Sequence, residues 1–323
     1  MPYAFEALDE MVGGGNIQAC SDATARRMAV RAYRRALTLL SASGNDDVDT
    51  FGFAITASLA SLTKKRGAHR AHIAMQTRTT TRTWCFELRK GARTRGSEER
   101  VVADTAVNLL AHSLGLRSNA LEVSTQDTIE TASADIVALF DGSRGVLGTP
   151  GTAFLPGSFN PLHDGHTQMR ADASRRIGQP VQFELCVRNV DKAPLDFIEL
   201  ARRRMQFNES ECVLTNTPTF VEKANALGQG NGVTFVVGVD TIKRIGETRY
   251  YVDSAARDAA LHELESLGTE FLVYGRLSDH GFETLDDLSL PPALNRIAVG
   301  VPEQDFRVDV SSTEMRLDSS VST

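Results

Sequence analysis

Ten consecutive residues gather the groups that hold phosphate: Gly157-Ser158-Phe159-Asn160-Pro161-Leu162-His163-Asp164-Gly165-His166. An apolar run, Ala153 to Pro156, leads into them and a helical pattern follows. Gly157, with no Cβ, lets backbone amides approach an oxyanion closely. A helix beginning near Gly165 turns its first amides and positive dipole end toward the same place. His163 and His166 add donors without the bulk of lysine. A second such turn, Ser311-Ser312-Thr313-Glu314-Met315-Arg316, follows a predicted strand at 306–310. Its hydroxyls and helix-start amides make another anion site, to which Arg316 brings a forked cation.

The elements around these turns predict an α/β fold. Strands are expected at 152–156, 181–187, 211–215, 233–238, 270–275 and 306–310. Helices fall near 165–178, 196–208, 240–247, 253–267 and 290–296. Strands alternating with helices imply a parallel sheet with right-handed crossovers. Ligands then bind beyond the carboxyl ends of the strands, where the strand order reverses. Ahead of this lies a smaller α/β pattern. A helix opens at Asp22, strands are expected at 51–55, 70–76 and 83–88, and a long helix follows Ser97-x-Glu99. The organisation expected is an α/β domain over 1–120, a linker with a short helix over 121–150, and the phosphate-binding domain over 151–323.

The block Gly157–His166 resembles the HxGH-containing signature of the nucleotidyltransferase superfamily. Ser311–Arg316 looks like that family's SSTxxR motif, in the right order and about 145 residues downstream. The resemblance covers roughly residues 150–318. It is nearest to nicotinamide and nicotinate mononucleotide adenylyltransferases and their cytidylyltransferase-like relatives, and implies a Rossmann-like domain. By the same resemblance, Asn189 to Lys192 is similar to a loop where a lysine approaches phosphates. Gly238-Val239-Asp240 is similar to the GxD element beside the nucleotide.

The reaction implied is in-line displacement at the α-phosphate of ATP or CTP, with pyrophosphate leaving and Mg²⁺ carried by the triphosphate. No enzyme nucleophile is required, so the protein positions groups and stabilises charge. The catalytic set implied is His163, His166, Lys192 and Arg316. Gly157, Ser158, Phe159, Asn160, Gly165, Gly238, Asp240, Ser311, Ser312 and Thr313 bind the nucleotide, with no metal ligand from the protein. His166 falls to the α-phosphate, His163 and Lys192 to the outer phosphates, and Phe159 with Asn160 shapes the pocket. The acceptor expected is a pyridine mononucleotide. Another phosphorylated acceptor, and a non-catalytic nucleotide-binding module, stay open. Only seven residues follow Arg316, fewer than the family's helix after this motif occupies.

Residues 20–115 resemble the CinA C-terminal domain, whose active members deamidate nicotinamide mononucleotide. The resemblance rests on Phe51 to Ile55, Gly67 to Ala74, and Gly91-x-Arg93-x-Arg95 with Glu98-Glu99. The family's Ser-Cys-Thr-Gly-Gly nucleophile loop has no counterpart, and Thr56 to Ser61 stands where a Gly-rich loop is expected. This half therefore reads as a degenerate structural or ligand-sensing domain. His69 and His72, three apart on a strand, face opposite sides.

Composition sets the bounds. The chain has 323 residues and a net charge of −6, which argues against nucleic acid or an anionic membrane as the partner. Small nucleotides remain, and a homo-oligomer is compatible. Residues 60–100 nevertheless carry eleven Lys/Arg against three Glu, a solvated basic loop or an anion-binding patch. Cys20, Cys85, Cys186 and Cys212 form no CxxC pair, a usage that fits a reducing compartment. With no apolar stretch of about 20 residues and no secretory pattern at the N-terminus, a cytoplasmic location is expected.

Overall fold

The computed structural model describes residues 4–14, 18–44, 48–61, 66–188, 195–278 and 281–308. The chain is mixed α/β and divides into two compact units, one of residues 1–137 with 191–201, the other of 138–190 with 202–323. Among the described residues no helix is long and apolar enough to cross a membrane.

The first unit opens with α1 (Phe5–Val12) and α2 (Asp22–Ser43), the latter capped by the Ser21 hydroxyl, which accepts from Thr24 N–H. Next come β1 (Gly52–Ser58), β2 (His69–Gln76), β3 (Thr80–Leu88), α3 (Arg95–Ser113), β4 (Gln126–Thr131) and α4 (Ala134–Asp141), which runs on past the division. The strands form an antiparallel sheet in the order β1-β2-β3-β4. Alternation along β2 sends Ala71, Ile73 and Met75 to one face, where Val101, Val102, Ala106 and Leu109 of α3 bury them. Ala74 faces the other way, into a small-residue seam with Ala54 of β1 and Ala25 and Ala29 of α2. On the α3 side, buried Glu98 meets His69 Nδ1 at 2.7 Å and accepts the Ala60 N–H at 2.7 Å. His72 lies on the opposite face, as alternation requires. Arg26 is buried between the carboxylates of Asp22 and Asp196. The 195–201 segment is held further by the Phe197 N–H, which donates to the Thr81 hydroxyl.

β4 lies in the Thr/Ser-rich stretch where the sequence pattern gives only a short helix. Nearly every one of its side chains is exposed, so it carries no apolar alternation, and only its ladder to β3 makes it a strand.

The second unit contains β5 (Val146–Leu147), β6 (Ala153–Pro156), α5 (Asp164–Ile177), β7 (Gln182–Cys186) and α6 (Phe197–Arg204), whose first turn belongs to the other unit. It continues through β8 (Cys212–Thr215), α7 (Phe220–Gly228), β9 (Val233–Gly238), α8 (Val239–Gly246) and α9 (Ser254–Ser266). β10 (Thr269–Tyr274), the hairpin β11 (Arg276–Ser278) and β12 (Gly281–Glu283), α10 (Pro292–Arg296) and β13 (Ala298–Val301) complete it. Its sheet has seven strands in the order β13-β10-β9-β6-β7-β8-β5. All neighbours run parallel except β5, which pairs antiparallel with β8. From central β6 the chain steps outward through β7 and β8, then returns to β6's other side with β9, β10 and β13. The order thus reverses between β6 and β9, where an open parallel sheet forms its ligand crevice.

The strand expected at 306–310 is a correction. The edge strand is β13, and residues 306–308 belong to no strand, while 309 and 310 lie outside the described residues. Alternation in this segment reports one buried face rather than strand pairing. The Phe306 ring meets Tyr274 edge-on at 4.8 Å, and Val308 reaches the start of α5.

Two substitutions probe these packings. A Cβ on Gly52 would lie 1.9 Å from the Ala29 carbonyl oxygen, so Gly52→Ala should destabilise the protein by about 3 kcal/mol in urea. Gly67→Ala, which meets nothing within 4 Å, should be silent. In the second unit Lys223 Nζ lies 2.7 Å from Glu184 Oε1, both buried, with the Thr215 hydroxyl on the same oxygen. Lys223→Met strands that carboxylate and should cost about 3–5 kcal/mol, whereas Glu184→Leu with Lys223→Met should recover most of the loss.

Candidate functional site

β6 ends where the strand order reverses, and the next seven residues connect it to α5. Phe159 takes φ +45°, a left-handed conformation that a bulky residue adopts only when its surroundings impose it. Here its ring imposes it. Phe159 is 1% exposed and meets Phe183, Phe207 and His166 edge-on at centroid distances of 5.0, 5.3 and 5.1 Å. The ring fills the space over Gly157, where a Cβ would lie 2.5 Å from it. The requirement for glycine at 157 is therefore packing. The Gly157 N–H donates to the Glu184 carbonyl at 3.0 Å and is committed to the sheet rather than to an anion. Phe159 lies beneath the loop and supports His166 from behind.

The loop is pinned by the chain just after α6's midpoint. Arg203 donates to the Ser158 carbonyl at 3.0 Å, Arg202 bonds the Asn160 side chain, and Gln206 donates to the Phe159 carbonyl at 2.9 Å while accepting the Leu162 N–H at 2.8 Å. The sequence reading assigned none of these three a role. The signal available was only a polar Gln beside an arginine run.

α5 begins immediately after His163, with Asp164 exposed at its first turn. The imidazoles of His163 and His166 stack at 3.7 Å, and the His163 backbone N–H donates to His166 Nδ1 at 3.3 Å. That bond occupies the Nδ1 lone pair, so neutral His166 carries its proton on Nε2 and presents a donor. Burial, then the neighbouring His163, pushes the His166 pKa down to about 4. Burial likewise lowers His163, with Asp164 opposing. Nδ1 of His163 is buried without a hydrogen-bond partner among the described residues. At neutral pH the pair is uncharged, beside helix amides that precede the first intrahelical bonds. Neutral N–H donors suit phosphate oxygens and leave their charge to be balanced by a cation that arrives with them.

At Gly165 a side chain would be crowded. A Cβ there would lie 3.1 Å from the His163 ring and 3.4 Å from Val308. Val308 belongs to a stretch laid along α5. Asp305 pairs with Arg176 at 3.3 Å, and Phe306 packs on Tyr274, whose hydroxyl donates to buried Asp172 at 2.8 Å. The described chain thus ends its course at the His163–Gly165 turn.

Gly157, Ser158, Phe159, Asn160, His163, Gly165 and His166 therefore share one strand–helix junction. Gly238 and Asp240 occupy the junction on the neighbouring strand, Gly238 as the residue before α8 and Asp240 exposed and paired with Arg276. Lys192, Ser311, Ser312, Thr313 and Arg316 lie outside the described residues. No model of a known protein family matches the chain, and no curated protein matches it.

The pH dependence has a definite sign. Unfolded His166 takes its proton near the ordinary 6.5 and folded His166 only near 4. Between these values the unfolded chain binds more protons, so this contribution to stability is whole above pH 6.5 and is lost as pH falls toward 4. Urea unfolding across that window should show a shallower pH slope for His166→Gln than for the wild type. Tripolyphosphate should move the His166 titration midpoint upward.

Proposed function

We propose that the second unit is a Rossmann-like nucleotidyltransferase that transfers AMP from ATP to a pyridine mononucleotide and releases pyrophosphate. What carries the reading is the convergence at α5's first turn. Two stacked neutral imidazoles stand at the carboxyl end of the central strand, and residue 308, three positions before Ser311, reaches the same turn. The order reversal between β6 and β9 supports it further.

In this mechanism the acceptor's phosphate oxygen attacks the α-phosphorus of ATP in line, and the bond to the bridging oxygen of pyrophosphate breaks. His166 donates its Nε2–H to a nonbridging α-phosphate oxygen as negative charge redistributes. His163 and Lys192 hold the outer phosphates, and Ser312, Thr313 and Arg316 bind the triphosphate. The helix amides stabilise charge without reorganising during the reaction. Mg²⁺ bound with ATP would neutralise charge on the triphosphate, with no protein ligand required. The first unit serves as a structural or ligand-sensing domain related to the CinA C-terminal fold.

A pyrophosphate-release screen of ATP and CTP against nicotinamide mononucleotide, nicotinate mononucleotide and other phosphorylated acceptors tests the reading. Release is expected with ATP and a pyridine mononucleotide. His166→Ala should cut it by about 10²–10³ while unfolding remains cooperative. Absence of release with every pair, or an undiminished His166→Ala enzyme, overturns the proposal.

A further inference from the structure

The hydrogen bond that sets the His166 tautomer is made by backbone, so whatever fixes the backbone at 163 also fixes which ring nitrogen carries the proton. Packing of the Phe159 ring and the Arg202 and Arg203 bonds fix the start of the loop before His163, but among these bonds only those of Gln206 reach its far end at Leu162. Phe159 is left-handed, and Asn160, Pro161 and Leu162 belong to neither strand nor helix. Gln206 spans them, its Nε2 on the Phe159 carbonyl at 2.9 Å and its Oε1 on the Leu162 N–H at 2.8 Å. Nε2 also donates to the Arg203 carbonyl at 3.1 Å, which ties the amide to its own segment. The polarity allows one amide orientation only, since the carbonyls need the NH₂ and the Leu162 N–H needs the oxygen.

We propose that Gln206 is a positioning residue. By clamping both ends of the 159–162 loop it holds the His163 N–H against His166 Nδ1 and so keeps the Nε2 proton available as a donor. The connection runs from a side-chain amide through two backbone groups to one imidazole nitrogen. Aromatic packing supplies a separate restraint on the ring plane, because Phe159 meets His166 edge-on. Packing cannot choose between Nδ1–H and Nε2–H; the hydrogen bond can. The consequence for turnover rests on the transferase reading, whereas the positioning itself does not.

The test uses the full chain with ¹⁵N-labelled histidine and no ligand, at pH 7.5. Long-range ¹H–¹⁵N correlation of wild-type His166 should show a bare Nδ1 and a protonated Nε2. In Gln206→Leu both clamping bonds are lost, and the spectrum should show mixed tautomers, with the titration midpoint raised because the His163 N–H no longer holds the Nδ1 lone pair. Gln206→Glu keeps an acceptor for Leu162 but sets a carboxylate against the Phe159 carbonyl, and should show a smaller shift in the same direction. It also carries the test if the leucine variant does not fold. A wild-type tautomer and midpoint in a folded variant overturn the proposal. Pyrophosphate release is the second readout. It should fall roughly tenfold to a hundredfold in kcat in Gln206→Leu, with its acid limb moved to higher pH. A changed tautomer with unchanged release upholds the positioning and counts against the transferase reading alone.

Discussion

The second unit is organised around a constraint at one residue, the left-handed backbone of Phe159. A large aromatic side chain accepts that conformation because its ring is locked among Phe183, Phe207 and His166. The backbone then turns sharply enough for the chain to leave central β6 and start α5 within seven residues. Gly157 must lack a side chain because the ring occupies its space, and at Gly165 a side chain would crowd the His163 ring and Val308. Packing alone thus asks for glycine at 157 and favours it at 165.

Desolvation gives the turn its electrostatic character. Two imidazoles stacked at 3.7 Å and half-buried cannot both hold protons cheaply, and burial is the larger cause of the depression of each. Similar logic appears elsewhere with the opposite solution. Lys223 with Glu184, and Arg26 with Asp22 and Asp196, place partners of opposite sign in contact inside the protein. At the histidine turn the opposing carboxylate is exposed Asp164, which among the described residues bears on His163 alone, and a polyanion would supply the rest.

Much of this was legible in the sequence, for a simple reason. Parallel strands buried on both faces read as apolar runs, so β6, β7, β8, β9 and β10 stand out, and the junction after β6 follows from them. α7 was overlooked although Thr219 and Glu222 form a capping box at its start. β4 carries no apolar pattern to read, and Ala298 to Val301 is too short and glycine-broken to outweigh the alternation at 306–310. The roles of Gly157 and Phe159 could not be read in advance. Their type suited an anion cradle, and only the ring's position shows that one makes room for the other. Gln206 was invisible because its partners are main-chain groups 44 and 47 residues away.

The division of the chain has a consequence for anyone who would separate its halves. The first unit takes up residues 191–201 from within the sequence of the second, so the polypeptide passes between the units more than once and no single cut parts them. A fragment started at residue 138 would carry Asp196 and Phe197 away from Arg26 and Thr81, leaving a carboxylate and an aromatic ring that folding had enclosed. Such a piece invites aggregation, and its behaviour would misrepresent the intact molecule.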